Sequence, residues 1–261
     1  MEYKYLRLDV DDRGIATVWL QRPPANALHL GLMNDLLEVA KQLALSSEVR
    51  VVVLRSAVPR FFMAGADLAM IDGGWDTIRN TTMLFHAVGN AWEAIPQPTV
   101  AAVDGVAAGG GCEMALTCDI RIMTTPTSSR IGLPECKVGL LPAGGGTQRL
   151  PRLIGRAAAM PLLLRGDLIP AEDAFRLGLV TECCPVEDFD DRVDAVAAEL
   201  AGLPPWTLRE IKRCGQVANE VPLEVGLAAE RDAMQRLSAT EDAREGVQAF
   251  VEKRAPTYVG R

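Results

Sequence analysis

Three short apolar runs, at residues 49–54, 99–103 and 120–123, alternate with stretches whose apolar residues recur at helical spacing. Short runs rich in valine and isoleucine read as strands buried on both faces. Such strands, separated by helices, call for parallel βαβ units rather than a sandwich, which predicts an α/β fold. Ahead of them, residues 3–9 and 15–20 flank the turn Asp11-Asp12-Arg13-Gly14 and read as an antiparallel hairpin. The loop after the hairpin is rigid, because Pro23 and Pro24 fix φ. A helix is expected over 31–45, on Leu32, Leu36, Leu37, Ala40, Leu43 and Ala44, and another over 75–95, stopped by Pro96 and Pro98. Between them, residues 61–68 turn into a short helix ending near Gly73-Gly74.

Beyond Thr147 the texture changes to helices on short links, at 148–154, 157–164, 171–177, 190–201, 208–218, 223–237 and 241–253, with Leu203-Pro204-Pro205 as a joint. The expected organisation is an α/β core over residues 1–195 and a C-terminal helical region over 196–261. Leu223, Val225, Leu227 and Met234 give that region broad apolar faces, which need a surface to cover them, part of it on another subunit.

A formal net charge of −7 with no basic block argues against a nucleic-acid binder. No apolar run approaches the roughly 20 residues of a membrane span. Met1-Glu2-Tyr3-Lys4-Tyr5 lacks an apolar signal core, so a cytoplasmic location is expected. The six cysteines contain no Cys-x-x-Cys, and Cys183 and Cys184 read as small, half-buried residues at a strand end. Only two histidines exist: His29, a capping or surface residue near a helix start, and His86, inside a helical pattern. Neither has the setting of a Ser–His–Asp triad or a zinc site. Proton transfer therefore falls to carboxylates.

Two segments supply them. Gly109-Gly110-Gly111-Cys112-Glu113 follows the 99–103 strand through a short turn at 104–108 and opens a helix through Cys118. Amides at a helix start lack partners and sit at the positive end of the macrodipole, so they suit an oxygen gaining negative charge. The same glycines equally suit a close-packed turn, and Glu113 a glutamate that compensates the dipole. It is not a phosphate loop, since no Gly-Lys-Ser/Thr follows. Glu135, after Pro134, has apolar neighbours in Ile131, Leu133 and Val138, and is either poised for proton transfer or buried against a cation such as Arg149. Burial of either carboxyl would raise its pKa toward the range of general acid–base work. Ala64-Gly65-Ala66-Asp67 is a second small-residue turn that offers a backbone donor, or a helix N-cap by Asp67.

Together with Pro142-Ala143-Gly144-Gly145-Gly146-Thr147-Gln148-Arg149-Leu150, these segments resemble the signature of the enoyl-CoA hydratase/isomerase (crotonase) superfamily. The likeness spans the chain, from Arg22-Pro23-Pro24-Ala25-Asn26-Ala27-Leu28 to the closing segment at 241–254. It implies a crotonase-like core of repeated ββα units with a C-terminal helical trimerisation region, in a homotrimer or dimer of trimers. It implies that the amides of Ala66 and Gly110 form an oxyanion hole for a thioester oxygen. It implies that Glu113 and Glu135 hold and activate one water, Glu113 as base toward water and Glu135 as proton donor to carbon. Coenzyme A would lie along Pro24, Ala25, Ala64, Asp67 and Leu68, with Phe250 and Lys253 near the adenosine phosphate, although Lys253 also reads as one more solvated lysine.

Retention of both glutamates favours an enoyl-CoA hydratase of fatty-acid or related acyl-CoA metabolism. Δ3–Δ2 isomerisation or another acyl-CoA lyase reaction, and a non-catalytic acyl-CoA-binding subunit, are the alternatives. No metal or cofactor is implied beyond the coenzyme A of the substrate. Three departures from the family pattern stand out. Ala69 replaces a frequent lysine, Ala143 occupies a position that is often glycine, and the tract 70–75 differs from that of short-chain hydratases.

Overall fold

A computed structural model describes residues 3–67, 74–218 and 220–261, with Trp75 described by its backbone alone. Leu6–Val10 (β1) and Ile15–Leu20 (β2) form the expected antiparallel hairpin, with Leu6 opposite Leu20. Leu30–Leu45 (α1) follows, with His29 as its N-cap: Nδ1 accepts from the Leu32 amide at 3.2 Å.

Next the chain repeats one unit. Val51–Ser56 (β3), Phe61–Met63 (β4) and Gly74–Glu93 (α2) form the first copy. Thr99–Val103 (β5), Val106–Ala108 (β6) and Gly110–Leu116 (α3) form the second. Ile120–Thr124 (β7), Arg130–Gly132 (β8), a 3-10 turn at Glu135–Val138 and Gly146–Ile154 (α4) form the third.

In each copy the first strand joins a large sheet and the second a small one. Arg156–Arg165 (α5), Leu168–Ile169 (β9), Ala171–Arg176 (α6) and Glu182–Cys184 (β10) complete both sheets. The large sheet runs β1-β2-β3-β5-β7-β10 and the small one β4-β6-β8-β9. All pairings are parallel except β1 with β2 and β8 with β9. The ββα repeat implied by the family resemblance is therefore present. The βαβ reading of the sequence had missed every second strand: residues 104–108, read as a turn, contain β6. Three-residue strands are too short to show a period.

The large sheet is buried on both faces, and its alternation shows how. Val52, Leu54, Ala101 and Val103 join the core beneath α1, α2 and α3. Val51, Val53, Val100 and Ala102 meet Phe189, Val193, Val196 and Ala197 of Val186–Ala201 (α7). Each such valine contributes about 1.5–3 kcal/mol by its burial.

α7 runs through the expected 195/196 boundary, because its apolar stripe packs on the sheet as far as Ala201. The helical region proper starts after Gly202, with Pro205–Val217 (α8), Leu223–Leu237 (α9) and Glu241–Glu252 (α10). Lys212 Nζ, 2.7 Å from Asp119 Oδ2, pins α8 to the core. The apolar residues of this region stay exposed in the single chain: Leu223, Val225, Leu227, Met234, Val247 and Phe250. Among the described residues, no helix is long and apolar enough to cross a membrane.

Among the described residues, the buried Arg121 on β7 pairs with no carboxylate. Its guanidinium donates to the carbonyls of Leu179 (2.7 Å), Cys118, Ala115 and Asp119, so it caps the C-terminal end of α3.

Candidate active site

α3 begins where β6 ends, and the turn between them needs glycine. Gly109 has φ +53°, and a Cβ there would stand 2.6 Å from Glu135 Oε1. Gly111 lies so close to β4 that a Cβ would meet Met63 O at 2.0 Å. The close-packed turn and the helix start are thus both present, and together they fix Glu113 within the first turn of α3.

Glu113 is 3% exposed. Its Oε1 accepts from the amides of Gly144 (2.7 Å), on the loop before α4, and Gly146 (2.8 Å), the first residue of α4. Burial pushes this carboxyl up to about 7, with the nearby Glu135 adding to the rise and the two amides and Arg149 opposing it. Leu28, Phe85 and Leu133 wall the space around it: they are the atoms that a side chain at Gly110, Gly144 or Gly146 would strike.

Glu135 opens the 3-10 turn, whose first residues follow β8. The turn closes through Gly139 in the left-handed region, with Leu140 N–H donating to Glu135 O at 3.1 Å. Its Oε2 is buried and has no hydrogen-bond partner among the described residues. Burial raises this carboxyl as well. Arg149, weighed in the sequence as its partner, goes elsewhere. From α4 its guanidinium reaches Glu93 (2.8 Å) and Asn90 (3.0 Å) on α2, because the first turn of α4 faces the end of that helix.

The second small-residue turn comes alongside the first. Ala66 forms a parallel bridge with Leu28, in which Leu28 N–H donates to Gly65 O and Asp67 N–H to Leu28 O, both at 2.7 Å. That pattern turns the N–H of Ala66 itself away from Leu28. Gly65 approaches α3 closely, since a Cβ on it would lie 3.7 Å from the Gly110 amide nitrogen. Gly110 is the first residue of its helix, so its N–H has no acceptor within the helix. The turn of Ala66, the start of α3 at Gly110, and the carboxyls of Glu113 and Glu135 therefore lie close together.

The proposed ledge residues are also near them. Ala25 O accepts from Ala64 N at 3.0 Å, and Asp67 pairs with Arg22 at 2.5 Å, tying the Pro24 loop to the Ala66 turn. The short helix expected after Asp67, which Asp67 could cap, lies outside the described residues, as do Leu68 and Ala69. Most of the tract 70–75 lies there too. Phe250 and Lys253, at the end of α10, are exposed. The long-range hydrogen bonds and ion pairs of α10 run to residues 254–261, and among the described residues none joins it to Glu113 or Glu135. The single chain does not bring these two residues to the carboxyls. His86 is exposed on α2.

Sequence reasoning missed three parts of this site. The amides of Gly144 and Gly146, which bind Glu113, had the glycine run at 144–146 as their available signal. Ala143 itself is not among the non-glycine residues with positive φ (Asn26, Arg60, Lys253), so alanine fits there without strain. Phe85 and the Arg22–Asp67 pair gave no local signal, because their partners are distant in sequence. Among the described residues, no cluster of three or more His, Cys, Asp or Glu could hold a metal ion.

Comparisons with known proteins identify the family. The family model described as Enoyl-CoA hydratase/isomerase matches residues 11–261. The chain is 37% identical over 244 residues to the 2,3-dehydroadipyl-CoA hydratase of Escherichia coli (strain K12), covering 93% of this chain and 94% of that protein. It is 36% identical over 267 residues to the mitochondrial methylglutaconyl-CoA hydratase of Rattus norvegicus, covering 99% and 84%. The crystal structure of an enoyl-CoA hydratase from Bacillus anthracis superposes with a TM-score of 0.94 at 35% identity, covering 99% of this chain and all of that one. The chain belongs to the enoyl-CoA hydratase/isomerase family, the crotonase superfamily.

Proposed function

We propose that the protein catalyses the reversible addition of water to a 2-enoyl-CoA thioester, giving a 3-hydroxyacyl-CoA. One observation carries this reading. Two carboxyls lie close together, one held at Oε1 by two amides, the other with a buried oxygen that lacks a partner among the described residues. The first suits a fixed base and the second a group that meets water or substrate. The two relatives named above are both hydratases of acyl-CoA substrates.

In the forward direction the thioester oxygen lies on the N–H groups of Ala66 and Gly110. Glu113, as carboxylate, takes a proton from water while the water oxygen bonds to C3. Electrons move onto the thioester oxygen as an enolate, where each such donor contributes about 3 kcal/mol to the transition state. Glu135, as carboxylic acid, delivers a proton to C2 and restores the thioester. Raised pKa values suit both roles: Glu113 near 7 is a competent base, and burial of Glu135 favours its protonated, proton-donating form. By microscopic reversibility their roles reverse in dehydration.

Coenzyme A then lies on Pro24, Ala25, Ala64, Asp67 and Leu68. Phe250 and Lys253 reach its adenosine end from a neighbouring copy in a homotrimer or dimer of trimers. Exposed Leu223, Val225 and Met234 support such an assembly. The reaction needs no metal or further cofactor, and a cytoplasmic role in fatty-acid or related acyl-CoA metabolism is consistent with it.

Loss of the conjugated-thioester absorbance of crotonyl-CoA and longer 2-enoyl-CoAs tests the reading. E113Q and E135Q should each lower kcat by about 10²–10⁴-fold while CoA-ester binding persists. Turnover of a 3-enoyl-CoA with no hydration of any 2-enoyl-CoA would instead assign the isomerase reaction.

A further inference from the structure

Arg149 is built into a slot that no surface ion pair requires. Its Nη1 donates to Gly144 O at 3.2 Å, the carbonyl of the residue whose amide holds Glu113. Its Nε and Nη2 both donate to Glu93 Oε2, at 3.1 and 2.8 Å, and Nη2 also reaches Asn90 Oδ1 at 3.0 Å. The side chain is 14% exposed. Two glycines make room for it: a Cβ on Gly145 would stand 2.1 Å from Nη1, and one on Gly89 3.3 Å. Gly145 also has φ +111°, a conformation that glycine allows without cost. The guanidinium thus joins the end of α2 to the loop at 143–146 by a planar fork, which lysine cannot reproduce.

We infer that Arg149 is a positioning residue for Glu113. It fixes the peptide between Gly144 and Gly145, and with it the two amides that orient the carboxylate toward water. The inference rests on the hydratase reading, in which Glu113 is the base. A purely structural ion pair is the competing explanation. It predicts altered melting and an unaltered active site, whereas a positioning role predicts a kinetic signature at normal substrate affinity. The charged groups facing Glu113 are Glu135 from the 3-10 turn and Arg149 from α4. Removing the cation leaves the anion, so the ionisation of Glu113 should move to higher pH.

The test compares R149M, R149K and E93Q with wild type on crotonyl-CoA across pH 5–9, with E113Q as the benchmark and R152A as a control on the same helix. Arg152 is exposed and bonds only within α4, to Gln148. Expected for R149M is a kcat lower by about 10–100-fold, the scale of an ångström-size misplacement, with KM within about threefold. Its acid limb should shift to higher pH, R149K should recover part of the loss, and R152A should match wild type. E93Q, which keeps the guanidinium but loosens its anchor, should lower kcat severalfold, and serves alone if R149M does not fold. Wild-type kcat and acid limb in folded R149M, or in E93Q where R149M cannot be obtained, would overturn the inference. Undiminished turnover in E113Q would instead overturn the reading beneath it.

Discussion

Glu113 and Glu135 sit in opposite kinds of structure. Every residue of α3 is buried, and the carboxylate it carries accepts two backbone amides. No residue of the 3-10 turn is buried, and only the Glu135 carboxyl reaches inward, with one oxygen unpartnered. Position is thus set by backbone packing in the first case and by a single rotamer in the second. A base that must aim one lone pair at water benefits from the first. An acid that must recover its proton after each turnover benefits from an open turn.

The sharpest way to break this contrast is G111A. The added Cβ would meet backbone atoms of Met63 at 2.0 and 2.8 Å, which cannot yield as a side-chain tip can. We expect a loss of about 3 kcal/mol or more in urea unfolding; a variant as stable as wild type would show that α3 is not locked against β4.

Next in size is a pH effect of Glu113. Its folded pKa of about 7 lies above its ordinary 4.5, so the folded state binds more protons than the unfolded one in that window. Stability from this group is full below 4.5 and falls as pH rises through 7, by roughly 3 kcal/mol. E113Q should flatten much of that slope, and its unfolding midpoint relative to wild type should rise between pH 5 and pH 8. Identical slopes in the two proteins would show that the amides offset the burial. Smallest is C136S on the exposed turn, where Cys136 Sγ makes one weak contact, to Leu164 O at 3.5 Å. Stability should change by less than about 0.5 kcal/mol. A larger loss would show the turn to be as constrained as α3.

How much of this was legible in the sequence follows from the range of each interaction. The long strands and helices were, because Val51–Leu54 or Leu32–Leu43 carry their period within a few residues. The short strands β4, β6 and β8 were not, since three residues hold no period and their pairing joins distant segments. The carboxyl pair was legible because Gly109–Glu113 and Pro134-Glu135 are local patterns. What binds those carboxyls was not. Glu113 meets Gly144 across 31 residues and Arg149 meets Glu93 across 56, and nothing near Glu93 marks it as a partner. The Phe250 and Lys253 assignments rest on the family resemblance, since the single chain leaves both side chains exposed.

The buried guanidinium of Arg121 has a consequence for motion. A seven-residue helix would ordinarily fray at its C-terminal end, where its last carbonyls lack donors. Here Ala115, and Cys118 just beyond the helix, give their carbonyls to a cation rooted in β7, between β5 and β10 of the large sheet. Opening the last turn of α3 would strand a charge in the core, so the helix has no cheap partial opening. Excursions that displace Glu113 are therefore tied to breakage of the sheet itself, and the carboxylate keeps its place for as long as the domain stays folded.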